Sequence, residues 1–239
     1  MNSSRGAWLI ALGMIIAAAV FGIFFYIARD TDDTIRVVGY ATQEFEANLV
    51  KWSFTISERT SLDGAAEGYL RLNRKLEDFK KMWKRMDLQT EEFLVQPINS
   101  RDNYDRNGNI VGKTLSQNIS IISKDIDEVG DIAVNPMAFA REGIVFDNSD
   151  IQYFSTRLDD IKKELLGKAT ENARQRAEEI AGSAGSIIKN IKSARAGVFQ
   201  ITEPYSTDIS SYGIHRTSTR KKMIRVTVSS VFAVEGGSN

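Results

Sequence analysis

The string Gly108-Asn109-Ile110-Val111-Gly112-Lys113-Thr114 ends as a phosphate-binding loop does, with a lysine and a hydroxyl after a glycine. Three residues rather than four separate its glycines, and a strand pattern follows where phosphate capture needs a helix N-terminus, so nucleotide binding is not expected. The overlapping stretch Asn103 to Gly108 has oxygen-bearing side chains at alternate positions and glycine sixth, like the opening of a calcium loop. Its twelfth position is Thr114, which cannot supply the bidentate carboxylate, and no helical pattern flanks it. A hairpin tip explains it better. His215 is the one histidine and there is no cysteine, which excludes His-pair and thiolate metal sites, iron–sulfur clusters and a cysteine nucleophile. No Gly-x-Ser-x-Gly elbow accompanies that single imidazole. Asp147 with Asp150, or Glu91 with Glu92, offers a carboxylate pair for acid/base hydrolysis, although neighbouring charges in turns are ordinary. The densest basic group is Arg216, Arg220, Lys221, Lys222 and Arg225. The first four are the candidate contact to a partner or to anionic lipid, and a charged edge that discourages strand pairing is the simpler reading. No catalytic residue, cofactor or metal is expected.

The elements around these residues follow from periodicity. Ile35, Val37 and Tyr40 open a β-like stretch ending near Gly39, and residues 47–57 alternate, with Val50, Trp52, Phe54 and Ile56 on one face. Leu62, Ala65, Ala66, Tyr69, Leu72, Leu76, Phe79, Trp83 and Met86 predict a long helix, with Thr60 and Asp63 resembling a capping box. Its Lys75, Lys80, Lys81, Lys84 and Arg85 read as a solvated face because Glu77 and Asp78 are interleaved. The runs Phe93–Ile98 and Leu115–Ile122 flank the Asn-Gly turn signal of a hairpin. A short helix is predicted from Asp125, capped by Glu128, then a strand at Ile144 and Phe146 ending in a turn at 147–150. A second long helix, about 156–184, has the inner stripe Leu158, Ile161, Leu165, Ala169, Ala173, Ala177, Ile180 and Ala184, with Gly185 as its stop. Apolar stretches at 187–191 and 198–201 precede a Ser/Thr-rich segment, 202–219, that reads as a mobile loop. Ile224, Val226, Val228, Phe232 and Val234 close the chain as a long strand.

Ala7 to Ile27 carries no charge and as a helix spans about 31 Å, close to one bilayer core. Trp8 and Tyr26 lie near its ends, and Arg5, Arg29 and Asp30 bound it. Ala17-Ala18-Ala19 imitates a signal-cleavage pattern, but the apolar residues after it favour an uncleaved signal anchor. A short tail in front and a long chain behind put the N-terminus in the cytoplasm and the bulk outside the inner membrane.

Lys+Arg 31 balance Asp+Glu 31, with 42% hydrophobic residues, which argues against disorder and against a nucleic-acid binder. The expected class is α+β: antiparallel sheet or sheets with two long helices packed on a face, preceded by one N-terminal transmembrane helix. The expected organisation is 1–6 cytoplasmic tail, 7–27 transmembrane signal anchor, 28–33 spacer, 34–234 α+β domain and 235–239 C-terminal tail.

Val37-Val38-Gly39-Tyr40-Ala41 looks like the opening Val-x-Gly strand of the SIMPL-domain family, bacterial envelope proteins once catalogued as a domain of unknown function. The run Ala173 to Ala181 with Gly185 resembles its Ala-rich helix, and the Asn-Gly tip and the strand 226–234 fall where that family has them. Where the family often has Pro-Asp after the first strand, Glu46-Ala47-Asn48 stands here. The resemblance covers about 34–234 and implies an envelope-facing α+β protein, linked to stress tolerance and capable of self-association, with no catalytic residues to carry over. The expected function is a non-catalytic, membrane-anchored envelope protein acting by self-assembly or partner binding. Homo-oligomerisation is expected, no nucleic acid is, and a periplasmic hydrolase using a carboxylate pair is the alternative.

Overall fold

The computed structural model describes the backbone of residues 3–29 and 33–236. The first helix, α1, runs Ser3–Arg29, so the uncharged segment is helical throughout. Its described side chains, Trp8 and residues 11–25, are all exposed. Among the described residues no helix is long and apolar enough to cross a membrane. The spacer residues Asp30, Thr31 and Asp32, and the last residues of the C-terminal tail, lie outside the described residues.

Beyond α1 come β1 (Thr34–Glu46), β2 (Leu49–Thr60), α2 (Ala65–Arg85), β3 (Thr90–Val95), β4 (Asn99–Tyr104) and β5 (Ile110–Ser123). Then follow α3 (Ile126–Val134), α4 (Met137–Arg141), β6 (Phe146–Phe154), α5 (Leu158–Ser183), β7 (Ile187–Ala196), β8 (Gln200–Thr202), β9 (Ile214–His215) and β10 (Lys221–Glu235). The class is α+β: β10 pairs antiparallel with β7 and β8, and β2, β3, β4, β5 and β6 form antiparallel pairs, while β8 and β9 form a short parallel pair. The chain forms two compact units: one from residues up to Tyr40, Lys168–Gly197 and the chain from Thr227, the other from Ala41–Gly167 and Val198–Val226.

In the larger unit, β5 pairs with β2 along one side and with β3 and then β4 along the other, and β2 also pairs with β6. Alternation buries one face of β2, so Val50, Trp52 and Ile56 are fully buried and Phe54 nearly so. Leu72, Leu76, Phe79 and Trp83 of α2 meet that face, joined by Val129 and Phe139. The aromatic rings interlock, with Trp52 4.3 Å from Phe54 and edge-on to Phe146 at 5.0 Å, centroid to centroid. Trp52 Nε1 donates to Ser149 Oγ at 2.9 Å and Trp83 Nε1 to Thr90 Oγ1 at 2.9 Å, so neither indole is buried unpaired. Glu58 ties α2 to β2, its carboxylate 2.7 Å from both Arg71 Nε and Lys75 Nζ.

In the smaller unit, α5 lies on β1. A Cβ built on Gly39 would stand 2.2 Å from Ala169 O and 2.4 Å from Ala173 N, so only glycine permits this approach. Val37, Ala173, Ala177 and Phe232 form the core there. The two strings that carry the family resemblance are thus the two sides of one packing contact. α5 ends as a Schellman motif: Ser186 N donates to Ala181 O, Gly185 N to Gly182 O, and Gly185 has φ +70°.

Several expectations are corrected. β1 runs on to Glu46, past Gly39. Thr60 and Asp63 form no capping box, because β2 continues through Thr60 and α2 begins at Ala65 without a side-chain cap. Leu62 lies before the helix and is exposed, and Tyr69 is exposed because Gly68 takes the buried position in the first turns while Leu72, Leu76, Phe79 and Trp83 keep the predicted inner face. Asp125 is the N-cap of α3 but its carboxylate accepts from Gln89 N at 2.6 Å rather than from its own helix. On α5 the buried series continues to Ala181, leaving Ile180 53% exposed, because 3.6-residue periodicity carries the stripe past it. Residues 147–150 belong to β6 and are no turn. The 202–219 segment carries β9, which pairs with β8, and Arg216 N donates to Ile201 O at 2.9 Å.

Candidate functional site

Arg216, Arg220, Lys221 and Lys222 flank the start of β10, and local geometry sends them to different surroundings. Arg216 follows β9, and its guanidinium lies 3.0 Å from Asp208 and 3.7 Å from Glu203. Arg220 Nε lies 2.8 Å from Glu46 Oε1, and Nη1 pairs with Asp127, which raises the guanidinium's already high pKa. Lys221 is exposed, while Lys222, its neighbour on the strand, is 1% exposed and donates from Nζ to Arg216 O at 2.6 Å. Burial pushes the Lys222 ammonium below its ordinary pKa, with Glu203 opposing the shift. His215 is also lowered, by burial first and then by Lys222 and Lys162. The four residues therefore present no common cationic surface: two are matched by acids and one is a buried tie on the backbone beside β9.

The charged-edge reading of this group is corrected as well. In the larger unit Ala47 N donates to Arg220 O on one side of the strand, and Met223, Ile224 and Arg225 pair with β8 on the other. In the smaller unit Val234 N donates to Asp33 O, and residues 228–235 pair with β7. The terminal strand is central, with β1 on one side of it and β7 as an edge on the other. Arg220 instead lines two recesses, one of about 680 Å³ with Asp127, Asp131, Asn135 and Tyr153, and one of about 560 Å³ with Glu46, Asn48, Lys124 and Glu128.

The remaining sequence candidates are placed as follows. Asp147 accepts from Ser57 Oγ at 2.6 Å, Asp150 accepts from Gln152 Nε2 at 3.0 Å, and Glu91 pairs with Lys124 at 2.7 Å. Asp105 accepts from the N–H groups of Asn107 and Asn109, both at 2.8 Å, and these bonds hold its carboxyl below the usual range. Gly108 supplies the φ of +83° that the tip requires. The calcium-like string is thus a turn closed on its own backbone. In the Gly-Lys-Thr string Lys113 Nζ lies 2.5 Å from Asp102, within the sheet, and no helix follows. Among the described residues no cluster of three or more metal-ligating side chains occurs.

One feature was not anticipated from the sequence: a polar recess of about 410 Å³ on the outer face of the β2–β5 sheet, which includes Arg59 and Arg101. Alternation marked that face as polar, but only the strand register reveals that both arginines stand opposite Thr114.

The family model SIMPL, described as a protein of unknown function (DUF541), matches residues 35–232, from β1 to the buried Phe232 of β10. Comparison with curated proteins finds no match. The matched span takes in the Gly39 strand, the alanine face of α5 and the closing strand that completes their core, and the chain belongs to the SIMPL family.

Proposed function

We propose that this SIMPL protein is a non-catalytic, single-pass inner-membrane protein whose domain stands on the periplasmic side and acts by associating with copies of itself. The observation that carries the reading is β7. Among the described residues it pairs with β10 along one side only, and of its side chains all but Ile188 are exposed, including Ile187 at 71% and Ile191 at 44%. An exposed edge with apolar residues offers unpaired backbone groups to another strand, while its basic residues and register shifts limit indiscriminate pairing. The anchor is inferred from the charge-free run of residues 7–27 in the sequence, and anchoring would favour association, because confinement to one plane raises effective concentration and removes part of the orientational cost of docking. The resemblance supports envelope stress tolerance as the setting.

The test is sedimentation of the full-length protein in detergent, of a chain lacking residues 1–29, and of an Ile187→Lys, Ile191→Lys variant. The expected result is an oligomer that the double substitution dissociates. A monomer in the first two samples at micromolar concentration would refute self-association, and an oligomer indifferent to the substitutions would refute the β7 edge as its seat. For topology, protection of the C-terminus from protease in spheroplasts would refute the orientation, and a mature N-terminus near Val20 would refute the anchor.

A further inference from the structure

The outer face of the β2–β5 sheet departs from an ordinary solvated face. Exposed antiparallel faces are commonly rich in Ser, Thr and Asn, and hydroxyls alone would call for no explanation. Arg59 on β2 and Arg101 on β4 both register with Thr114 on the strand between them, which puts two guanidiniums in one row on the same face. With β5 between them the two residues stand two strand spacings apart, about 10 Å at the backbone, within reach of one ligand spanning the row, and among the described residues no acid is paired with either. Lys113, on the opposite face, has its partner in Asp102 at 2.5 Å. Beyond the backbone ladder, the Arg59 and Arg101 side chains make none of the ion pairs or hydrogen bonds among the described residues.

The floor between them is fixed by its own bonds. Thr114 Oγ1 donates to Asn103 Oδ1 at 3.0 Å, Thr55 Oγ1 to Asn118 Oδ1 at 2.7 Å, and Ser57 Oγ to Asp147 at 2.6 Å. The wall is made by a bulge in β6. Between the pairs Ser53–Asp150 and Thr55–Asp147 the β6 strand has one residue more than β2, and Asn148 takes φ +50°. That bulge sends Ser149 inward to Trp52 Nε1 while both Asp147 and Asn148 line the outer recess. A strained, non-glycine residue that adds a polar side chain to a concavity is the kind of feature found at ligand sites.

We propose that this recess, lined by Arg59, Arg101, Thr114, Asp147 and Asn148, binds a carbohydrate bearing an oxyanion, a carboxylate or a phosphate. The paired guanidiniums take the oxyanion through charge-assisted hydrogen bonds, and the Asp147 carboxylate and the amide of Asn148 take sugar hydroxyls. A neutral sugar leaves the two like charges unrelieved, and a bare anion leaves Asp147 facing it unfavourably. The site therefore discriminates against both.

Titration calorimetry on the full-length protein tests this, in a polyoxyethylene detergent because glucoside and maltoside headgroups are themselves sugars. The probes are glucuronate, glucose 1-phosphate, glucose and inorganic phosphate. At least one of the two acidic sugars is expected to bind about tenfold or more tighter than both glucose and inorganic phosphate, since charge-assisted bonds and hydroxyl contacts act together only there. Glucuronate and glucose 1-phosphate binding unequally would identify which oxyanion the arginines prefer, and either preference supports the proposal. Arg59→Gln and Arg101→Gln are each expected to remove that advantage, and Arg106→Gln, on the hairpin tip, to leave it unchanged. Asn148→Gly keeps the positive φ and deletes the side chain, so it is expected to weaken binding without altering the melting temperature. No binding of either acidic sugar at millimolar concentration, inorganic phosphate binding as tightly as both, or binding indifferent to both arginine substitutions would overturn the proposal.

Discussion

Replacing Gly39 by alanine tests whether the strand–helix contact is set by backbone contact. The new Cβ would lie 2.2 Å from Ala169 O, 2.4 Å from Ala173 N and 2.7 Å from Ala173 Cα, against an ordinary contact distance of 3.4–4 Å. All three are backbone atoms, so no rotamer change relieves the clash, and shortening Ala173 to glycine would not rescue it. α5 must withdraw by about 1 Å or more, and a gap of that size forfeits a quarter to a half of each dispersion contact along it. Ala169, Ala173 and Ala177 are all fully buried, so the loss spreads over about two turns of helix. We expect destabilisation of about 3 kcal/mol, at the upper end for overpacking because the obstruction is backbone. For a protein of this size that lowers the melting temperature by about 6–12 °C. Gly167→Ala, in the same helix with nothing within 4 Å of its Cβ, is the control. It should stabilise by about 0.5–1 kcal/mol, since alanine restricts the unfolded chain. Urea denaturation of both variants measures the difference, and a Gly39→Ala variant within about 0.5 kcal/mol of wild type would show that the close approach of β1 and α5 does not constrain the fold.

Two other stability measurements follow from a partly buried carboxylate and a buried ammonium. Burial raises the Glu58 pKa, but hydrogen bonds from Lys75 and Arg71 outweigh it and hold the carboxyl below its ordinary value. Its stabilising contribution is therefore present above the ordinary carboxylate range and lost as pH falls through the folded-state pKa. Glu58→Gln should cost about 1–2 kcal/mol at pH 7 and converge on wild type in acid, and a difference independent of pH would refute the ion-pair account. Lys222, whose folded-state pKa is lowered, binds protons more weakly folded than unfolded, so its penalty is greatest below the folded pKa and fades as pH rises towards the ordinary lysine value. Lys222→Met should leave stability unchanged or raise it by about 1 kcal/mol at neutral pH, with the gain shrinking in alkali, whereas a large loss at neutral pH would make the bond to Arg216 O essential.

Period-two and period-3.6 patterns determined which residues face inward, because a pleat or a helix fixes side-chain direction locally. Val50, Trp52, Phe54 and Ile56 are buried as their alternation requires, and so are Leu165, Ala169, Ala173 and Ala177. Gly185 ends α5 for an equally local reason, since a positive φ suits glycine. The boundaries failed where tertiary contacts extended an element: β1 runs past Gly39 and β6 continues through Asp147–Asp150, their hydrogen-bond partners coming from strands distant in sequence. The basic group misled for a related reason. Arg216, Arg220, Lys221 and Lys222 are close in sequence, but whether they form a patch depends on strand alternation and on Glu46, Asp127, Glu203 and Asp208, which only folding brings near. Arg59 and Arg101 are the converse case. Unremarkable 42 residues apart, they become neighbours of one threonine through β5 register, and pairing register is a property of the assembled sheet that no single strand encodes.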